Sequence, residues 1–426
     1  MSKIAFDKNF IFGVAGASYQ YLGAKNSPNC NWSFKSEIPG AADAANSGGA
    51  CDFWDHLDGD IQRMKELGVK AFRFSFEWSD IELSRGSYDA KALENYHRLF
   101  ATLSLNGITP WMTLHHFTVP MWFEKLGGFE KEENLQFFID FCQMIVKEFG
   151  GSVTNWGTFN EPGMYIFNSY IRGKWPPGVA SLQRAGVVLQ NILHTHVTLY
   201  EMIKKMQPHS YIGFMHNIMP FRPYNYWNPI ERLVCYYVNH VFHDSITDFF
   251  VQGKFNFTVP FFVNIKSKAA GAKYSFDFFG LNYYSCNMLR MNWRLKNIIT
   301  SECPAQHSSD YGIGFHGLYH VIKDIHKNIT GPRQIPIYIT ENGIPDAHDI
   351  YRKKFIEDSM AALHKAIKKG FNVRGYFYWS FLDNLEWDLG YTPKFGLYEV
   401  NFDTQQRILR KGAQPFIDII KRTYKD

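Results

Sequence analysis

Cysteine is scarce. The 426 residues hold six (Cys30, Cys51, Cys142, Cys235, Cys286 and Cys303), with no CxxC pair and no histidines clustered at metal-ligand spacing. That argues against a disulfide framework and a zinc site, and reads as free thiols in a reducing compartment. Long apolar runs are also missing. No stretch reaches the roughly 18 residues that a bilayer-spanning helix requires. The apolar segment from Phe10 to Tyr21 follows Asp7 and is interrupted by Gly13, Gly16 and Gln20, so it reads as a buried strand and not as a secretion signal. A dominant charge sign is lacking as well: 45 basic and 40 acidic residues leave a net +5, spread without blocks. Such an excess is too small to argue for nucleic acid or for a membrane surface as partner. No Ser/Pro/Gly-rich linker separates the halves. A soluble cytoplasmic protein is expected, with residues 1–426 forming one domain and homo-oligomerisation left open.

Apolar and aromatic residues are plentiful. Hydrophobic content is 46% and charged content 20%, ordinary for a globular chain, but the aromatic fraction is 17%, with 38 Phe, 24 Tyr and 11 Trp. Aromatic faces can stack on sugar rings, yet composition alone favours a Phe-rich core.

Short β-rich runs alternate with longer stretches of helical periodicity along the whole chain. The strands expected are Phe12–Ser18, Ala71–Phe76, Thr109–Leu114, Asn155–Phe159, Tyr211–Met215, Phe276–Leu281, Ile337–Thr340 and Val373–Trp379. Amphipathic helices lie between them, such as Asp60–Leu67 closed by Gly68 and Glu357–Lys369 closed by Gly370. Eight βα units point to an α/β fold of the closed (β/α)8 barrel type, although pattern alone leaves a doubly wound sheet open. In a barrel, catalytic groups sit at the C-terminal ends of strands.

Two glutamates occupy such ends. Thr158-Phe159-Asn160-Glu161-Pro162 closes one predicted strand, with Pro162 forcing the chain out of it, and Ile339-Thr340-Glu341-Asn342-Gly343 closes another. A glutamate at a strand end is by itself more often a solvated loop residue; two aimed at one cavity are a stronger signal. Arg73, projecting from a neighbouring strand, would supply a fixed positive charge favouring the anion of Glu341, unless it is an ordinary structural ion pair. Asn282 and Tyr284 stand two apart and can share a face while Tyr283 points away, which makes Tyr284 a candidate donor to Glu341. Alternation likewise separates His115 from His116.

The two pentapeptides resemble the acid/base and nucleophile signatures of glycoside hydrolase family 1, the β-glucosidase and β-galactosidase family. The resemblance runs from Phe10 to about Phe402 through Phe10–Gln20, Phe72–Ser79, Leu114–Pro120, Asp277–Tyr284 and Trp379–Trp387, in the family order. It implies a retaining β-glycosidase acting on a small-molecule β-glycoside or oligosaccharide, without cofactor or metal. In such an enzyme one carboxylate attacks the anomeric carbon and one carboxylic acid, roughly 5 Å away, protonates the departing oxygen. By the resemblance Glu341 is the nucleophile, Glu161 the acid/base and Asn160 a partner of the sugar 2-hydroxyl. Gln20, His116, Glu386 and Trp387 would bind sugar hydroxyls, and Trp379 would underlie the ring. Glu161 should then feel the charge of Glu341 and a partly dry pocket, both of which raise its pKa.

The match departs from the family in three places: Ile344–Arg352 is short, Tyr311–His316 replaces a Trp–Pro stretch, and Asn29-Cys30-Asn31-Trp32-Ser33 replaces a Ser-Ile-Trp form. These bear on the leaving-group side. Three alternatives stand beside the main reading. A 6-phospho-β-glycosidase is opposed by Glu386, which would repel a phosphate. A catalytically inactive sugar-binding barrel and a thioglucosidase are opposed by the presence of both glutamates.

Overall fold

The computed structural model describes residues 4–37, 47–291, 298–302 and 315–425. Eight parallel strands close into a barrel in chain order: β1 (Ile11–Ala15), β2 (Ala71–Ser75), β3 (Thr109–His115), β4 (Asn155–Asn160), β5 (Tyr211–Asn217), β6 (Phe278–Asn282), β7 (Ile337–Asn342) and β8 (Val373–Trp379), with β8 pairing back onto β1. Each of the eight expected strands has its counterpart, but the first ends at Ala15 and Ser18–Asn26 is a helix, so the stretch from Phe10 to Tyr21 is not one buried strand; the doubly wound alternative falls away.

Inside the barrel, ring packs on ring. Along β8 the alternation of a strand sends Gly375, Phe377 and Trp379 one way and Tyr376 and Tyr378 the other, where they meet Phe416 of the C-terminal helix Gln414–Thr423. Trp111, Phe278, Tyr338 and Phe377 fill the interior, with centroids 4.8 Å apart for Trp111 and Tyr338 and 5.2 Å for Trp111 and Phe377. Rings of this size fit because neighbouring strands carry glycine opposite them. A methyl group at Gly375 would lie 2.7 Å from a Tyr338 ring carbon and 3.0 Å from the Ile11 carbonyl. The aromatic excess is thus largely spent on the core.

Helices cover the outside. Phe53–Leu67 buries Phe53, Leu57, Ile61, Met64 and Leu67 along one stripe, and Gly68 ends it at φ 82°. Arg352–Lys368 begins earlier than the periodicity indicated, because its first residue is a buried structural cation. Arg352 donates to the carbonyls of Ile344 (3.1 Å), Asp346 (2.8 Å), Lys394 (3.0 Å) and Phe395 (2.9 Å) and to the Tyr378 hydroxyl (2.8 Å). One guanidinium therefore fixes the short loop after β7 to the loop after β8. Tyr311–Gly314 of the departing stretch lies outside the described residues, and the helix Phe315–Ile325 follows it.

Among the cysteines, Cys30, Cys51, Cys142 and Cys235 are free and buried. Cys286 is disulfide-bonded, which corrects the reading of all six as free thiols; Cys303 lies outside the described residues. No CxxC or other short spacing marks Cys286 for pairing, so the linear pattern did not show it. Among the described residues no helix is long and apolar enough to cross a membrane.

Candidate active site

The C-terminal strand ends converge on one polar cluster beneath the barrel mouth. Simple alternation would aim Asn160 and Glu161 to opposite sides of β4. Two features bring both inward: the β4–β5 register shifts between Gly157 and Asn160, and Glu161 takes the left-handed conformation at φ 44°, ψ 57° before Pro162 opens the helix Pro162–Ile166. Phe117 (φ 68°) and Trp387 (φ 51°), both in the aromatic wall beside His116, share this uncommon backbone region. Strained residues persist where surrounding structure over-determines them, as at functional sites. A register shift between Ile339 and Asn342 similarly accompanies Glu341 at the end of β7.

The two glutamates, both buried, have different neighbours. Glu341 forms an ion pair through Oε1 with Arg73, itself 1% exposed, and accepts a 2.6 Å hydrogen bond at Oε2 from the Tyr284 hydroxyl. Burial, and then the charge of Glu341, pushes the Tyr284 phenol well above its ordinary range, so it remains a neutral donor. Among the described residues the Glu161 carboxyl accepts only from amides: the Asn282 Nδ2 donates to its Oε1 at 2.6 Å and the Asn217 Nδ2 at 3.2 Å. Burial first, and then Glu341, pushes the Glu161 carboxyl up to about 8, against the opposing pull of these two donors and of Arg73.

Asn160 ties the two halves together. Its Oδ1 accepts from Arg73 Nη2 at 2.6 Å and from Asn282 Nδ2 at 3.1 Å, which leaves its Nδ2 as the donor to His116 Nε2 at 3.2 Å. Thr340 donates to the Asn282 Oδ1 at 2.6 Å and so fixes that amide's orientation. Burial, followed by Arg73, holds His116 well below the usual imidazole range, so the ring is neutral. It lies nearly parallel to both Trp379 and Trp387, each 6.0 Å away.

Every site residue expected from the sequence except Gln20, Glu386 and the two tryptophans belongs to this one network. Those four form an adjoining wall. Gln20 donates to Asn384 Oδ1 (2.9 Å) and to the Leu385 carbonyl (2.7 Å), while its own Oε1 is buried without a protein partner, as is His116 Nδ1. Glu386 accepts from Trp379 Nε1 at 3.3 Å; dense surroundings push its carboxyl well up although the side chain keeps some surface. Trp387 packs against Trp32 and Trp175 in an aromatic wall. His115 turns away into Phe129, Phe138, Phe159 and Tyr165, as alternation required. Tyr283 points to Gly317 of the neighbouring helix. Sequence reasoning missed Asn217, because it sits where β5 reads as already ended; its only signal is an amide at a strand's C-terminal end, the same signal that marked Asn282. Among the described residues no group of acidic, histidine or cysteine side chains could hold a metal ion.

Residues 2–424 match the model for Glycosyl hydrolase family 1. The chain belongs to this family. Among its relatives, β-glucosidase A of Thermotoga maritima is 27% identical over 98% of each chain. The 6-phospho-β-galactosidase of Streptococcus mutans is 29% identical over 97% of each. The solved β-glycosidase from Pyrococcus horikoshii superposes with a TM-score of 0.87 at 33% identity, covering 100% of this chain and 97% of that one. As a family 1 member the protein is an O-glycosyl hydrolase, a β-glycosidase.

Proposed function

We propose that this family 1 enzyme is a retaining β-glycosidase that removes terminal, unphosphorylated β-D-glucosyl or related residues, with Glu341 as nucleophile and Glu161 as acid/base. The observation carrying the proposal is the contrast between the two carboxyls. Glu341, paired with Arg73 and Tyr284, is an anion held ready for attack. Glu161, raised to about 8, carries its proton at neutral pH. When Glu341 becomes an ester its charge disappears, one cause of the high Glu161 pKa goes with it, and the carboxylate so released can take a proton from the attacking water. The bridge from Glu341 through Arg73 and Asn160 to Asn282 and Glu161 is short, in keeping with the close spacing that a covalent, retaining route needs.

The neutral glycone is supported by the wall. Gln20 Oε1 and His116 Nδ1 offer one acceptor and one further ring nitrogen to a polyol, and the Glu386 carboxyl brings no positive charge to meet a phosphate dianion. The nearby Lys394 ammonium is engaged over the Phe402 ring at 4.6 Å. The test is a panel of nitrophenyl β-D-glycosides, including glucoside 6-phosphate, with NMR of the first-formed anomer. Release of the β-anomer from the neutral glucoside is expected. An α-anomer first product refutes retention, and preference for the 6-phosphate refutes the neutral glycone.

A further inference from the structure

Exposed large hydrophobic side chains are unevenly placed. Of the seventeen among the described residues, eight fall in two segments, Tyr224–Tyr236 and the turn at Phe261 and Phe262. Isolated surface apolar residues are normal, whereas a contiguous patch marks an interaction site. These are contiguous: the helix Pro229–Asn239 and the tip of the hairpin Lys254–Val259/Val263–Lys268 face each other across a cleft of about 690 Å³. Phe167, Val234, Val238, Phe242 and Phe262 are among its lining, which is almost wholly apolar.

Among the described residues, each element has an unpartnered side. The helix buries Cys235 and Glu231 inward, yet its outer stripe is also apolar, with Ile230, Leu233 and Tyr236 at three-residue spacing behind Trp227, which is 93% exposed. At the hairpin tip Phe261 is fully exposed and Phe262 is 76% exposed. Trp, Tyr and Phe projecting together suit a membrane interface, where an amphipathic ring sits at headgroup level.

Charge selects the occupant. Within 221–239 and 254–268 the exposed ionised side chains are Arg222, Arg232, Lys254, Lys266 and Lys268, all cations, with Lys254 and Lys268 paired at the end of the hairpin away from its tip and one exposed carboxylate, Asp244, just past the helix. The one carboxylate within those two ranges, Glu231, is buried, accepting from the backbone N–H groups of Asn225 (2.7 Å) and Met291 (3.2 Å). Strand alternation sets Phe262, Asn264, Lys266 and Lys268 on one exposed face. The net +5 of the whole chain averages this local arrangement away. We propose that this face, on the barrel rim beside the segment that follows Glu161, docks on a lipid bilayer bearing anionic headgroups, its rings inserting at the interface and its cations meeting phosphates. The attachment is peripheral and does not depend on the roles assigned to the glutamates.

Sedimentation with vesicles tests it. The full chain should pellet with phosphatidylcholine vesicles containing phosphatidylglycerol, less with phosphatidylcholine alone, and less again in high salt. The variant Trp227→Ser/Phe261→Ser/Phe262→Ser should lose partitioning by roughly a hundredfold while keeping wild-type turnover of a soluble nitrophenyl glycoside, which shows that it folds. Failure of the wild-type chain to bind either vesicle overturns the proposal, as does equal binding by the variant. A wild-type dimer in sedimentation velocity that the substitutions dissociate, without vesicle binding, would assign the face to a second copy instead.

Discussion

Asn217→Leu should move the alkaline limb of the pH profile upward. The Asn217 amide donates to Glu161 Oε1 at 3.2 Å and is one of two side-chain donors opposing the burial that lifts this carboxyl to about 8. A donor favours the anion, so its removal disfavours ionisation and the pKa rises. Hydrogen bonds to charged groups are worth about 1.5–3 kcal/mol; a long one belongs at the lower end, and with 1.36 kcal/mol per unit that is about one unit. An acid lifted from about 8 to about 9 is about half protonated at pH 9 instead of about a tenth, so kcat/KM at pH 9, relative to its plateau, should rise about fivefold. The assay is kcat/KM against pH on an alkyl glycoside, whose leaving group needs the proton. On a dinitrophenyl glycoside, whose departure needs none, wild type and variant should share one alkaline limb. A limb that stays or moves down on the alkyl glycoside refutes either the acid role of Glu161 or the part Asn217 plays in setting it.

Glu341→Gln should abolish turnover, and a 2-fluoro glycoside should label the wild-type enzyme at Glu341; peptide mapping to another residue would overturn the nucleophile assignment. Glu161→Ala should barely slow glycosylation by a dinitrophenyl glycoside while strongly slowing that by an alkyl glycoside, with azide restoring turnover as the β-glycosyl azide. Equal losses on both substrates without rescue would remove Glu161 from the mechanism. Gly375→Ala should cost about 1–3 kcal/mol by overpacking against Tyr338 and the Ile11 carbonyl; an unchanged thermal unfolding midpoint would show that the barrel interior yields more than its packing indicates.

The barrel was legible because its strands are β-branched and aromatic runs between helical stripes. The ends were read less well: β1 and β2 were drawn too long, and others were clipped for one reason. The sequence pattern stops β3 at Leu114, β4 at Phe159, β5 at Met215 and β7 at Thr340, whereas the ladders continue to His115, Asn160, Asn217 and Asn342. These are polar residues with little strand preference, held in the sheet by the network around them rather than by their own propensity. Where strand chemistry and site chemistry conflict, local reading follows the former and clips the site. The pairing of Glu341 with Tyr284 was accessible through alternation, whereas for Asn282 alternation gave the face and not its partner Glu161. The structural task of Arg352 was not accessible, since its acceptors are mostly backbone carbonyls that no sequence pattern advertises. Nor was the apolar rim, where helix Pro229–Asn239 carries hydrophobic residues on both sides and periodicity cannot tell an inner stripe from an outer one.

The aromatic packing inside the barrel has a consequence for traffic. Trp111, Phe278, Tyr338 and Phe377 stopper the tube below the glutamates, so a sugar that reaches Glu341 has come to a dead end and must back out through the entrance it used. A polymer cannot be threaded through; only the tip of a chain can be presented. On the retaining route proposed above, departure of the first product and arrival of water would share one doorway, so the leaving group would have to clear it before hydrolysis could proceed, and a second sugar arriving in its place would compete with water for the bound glycosyl unit.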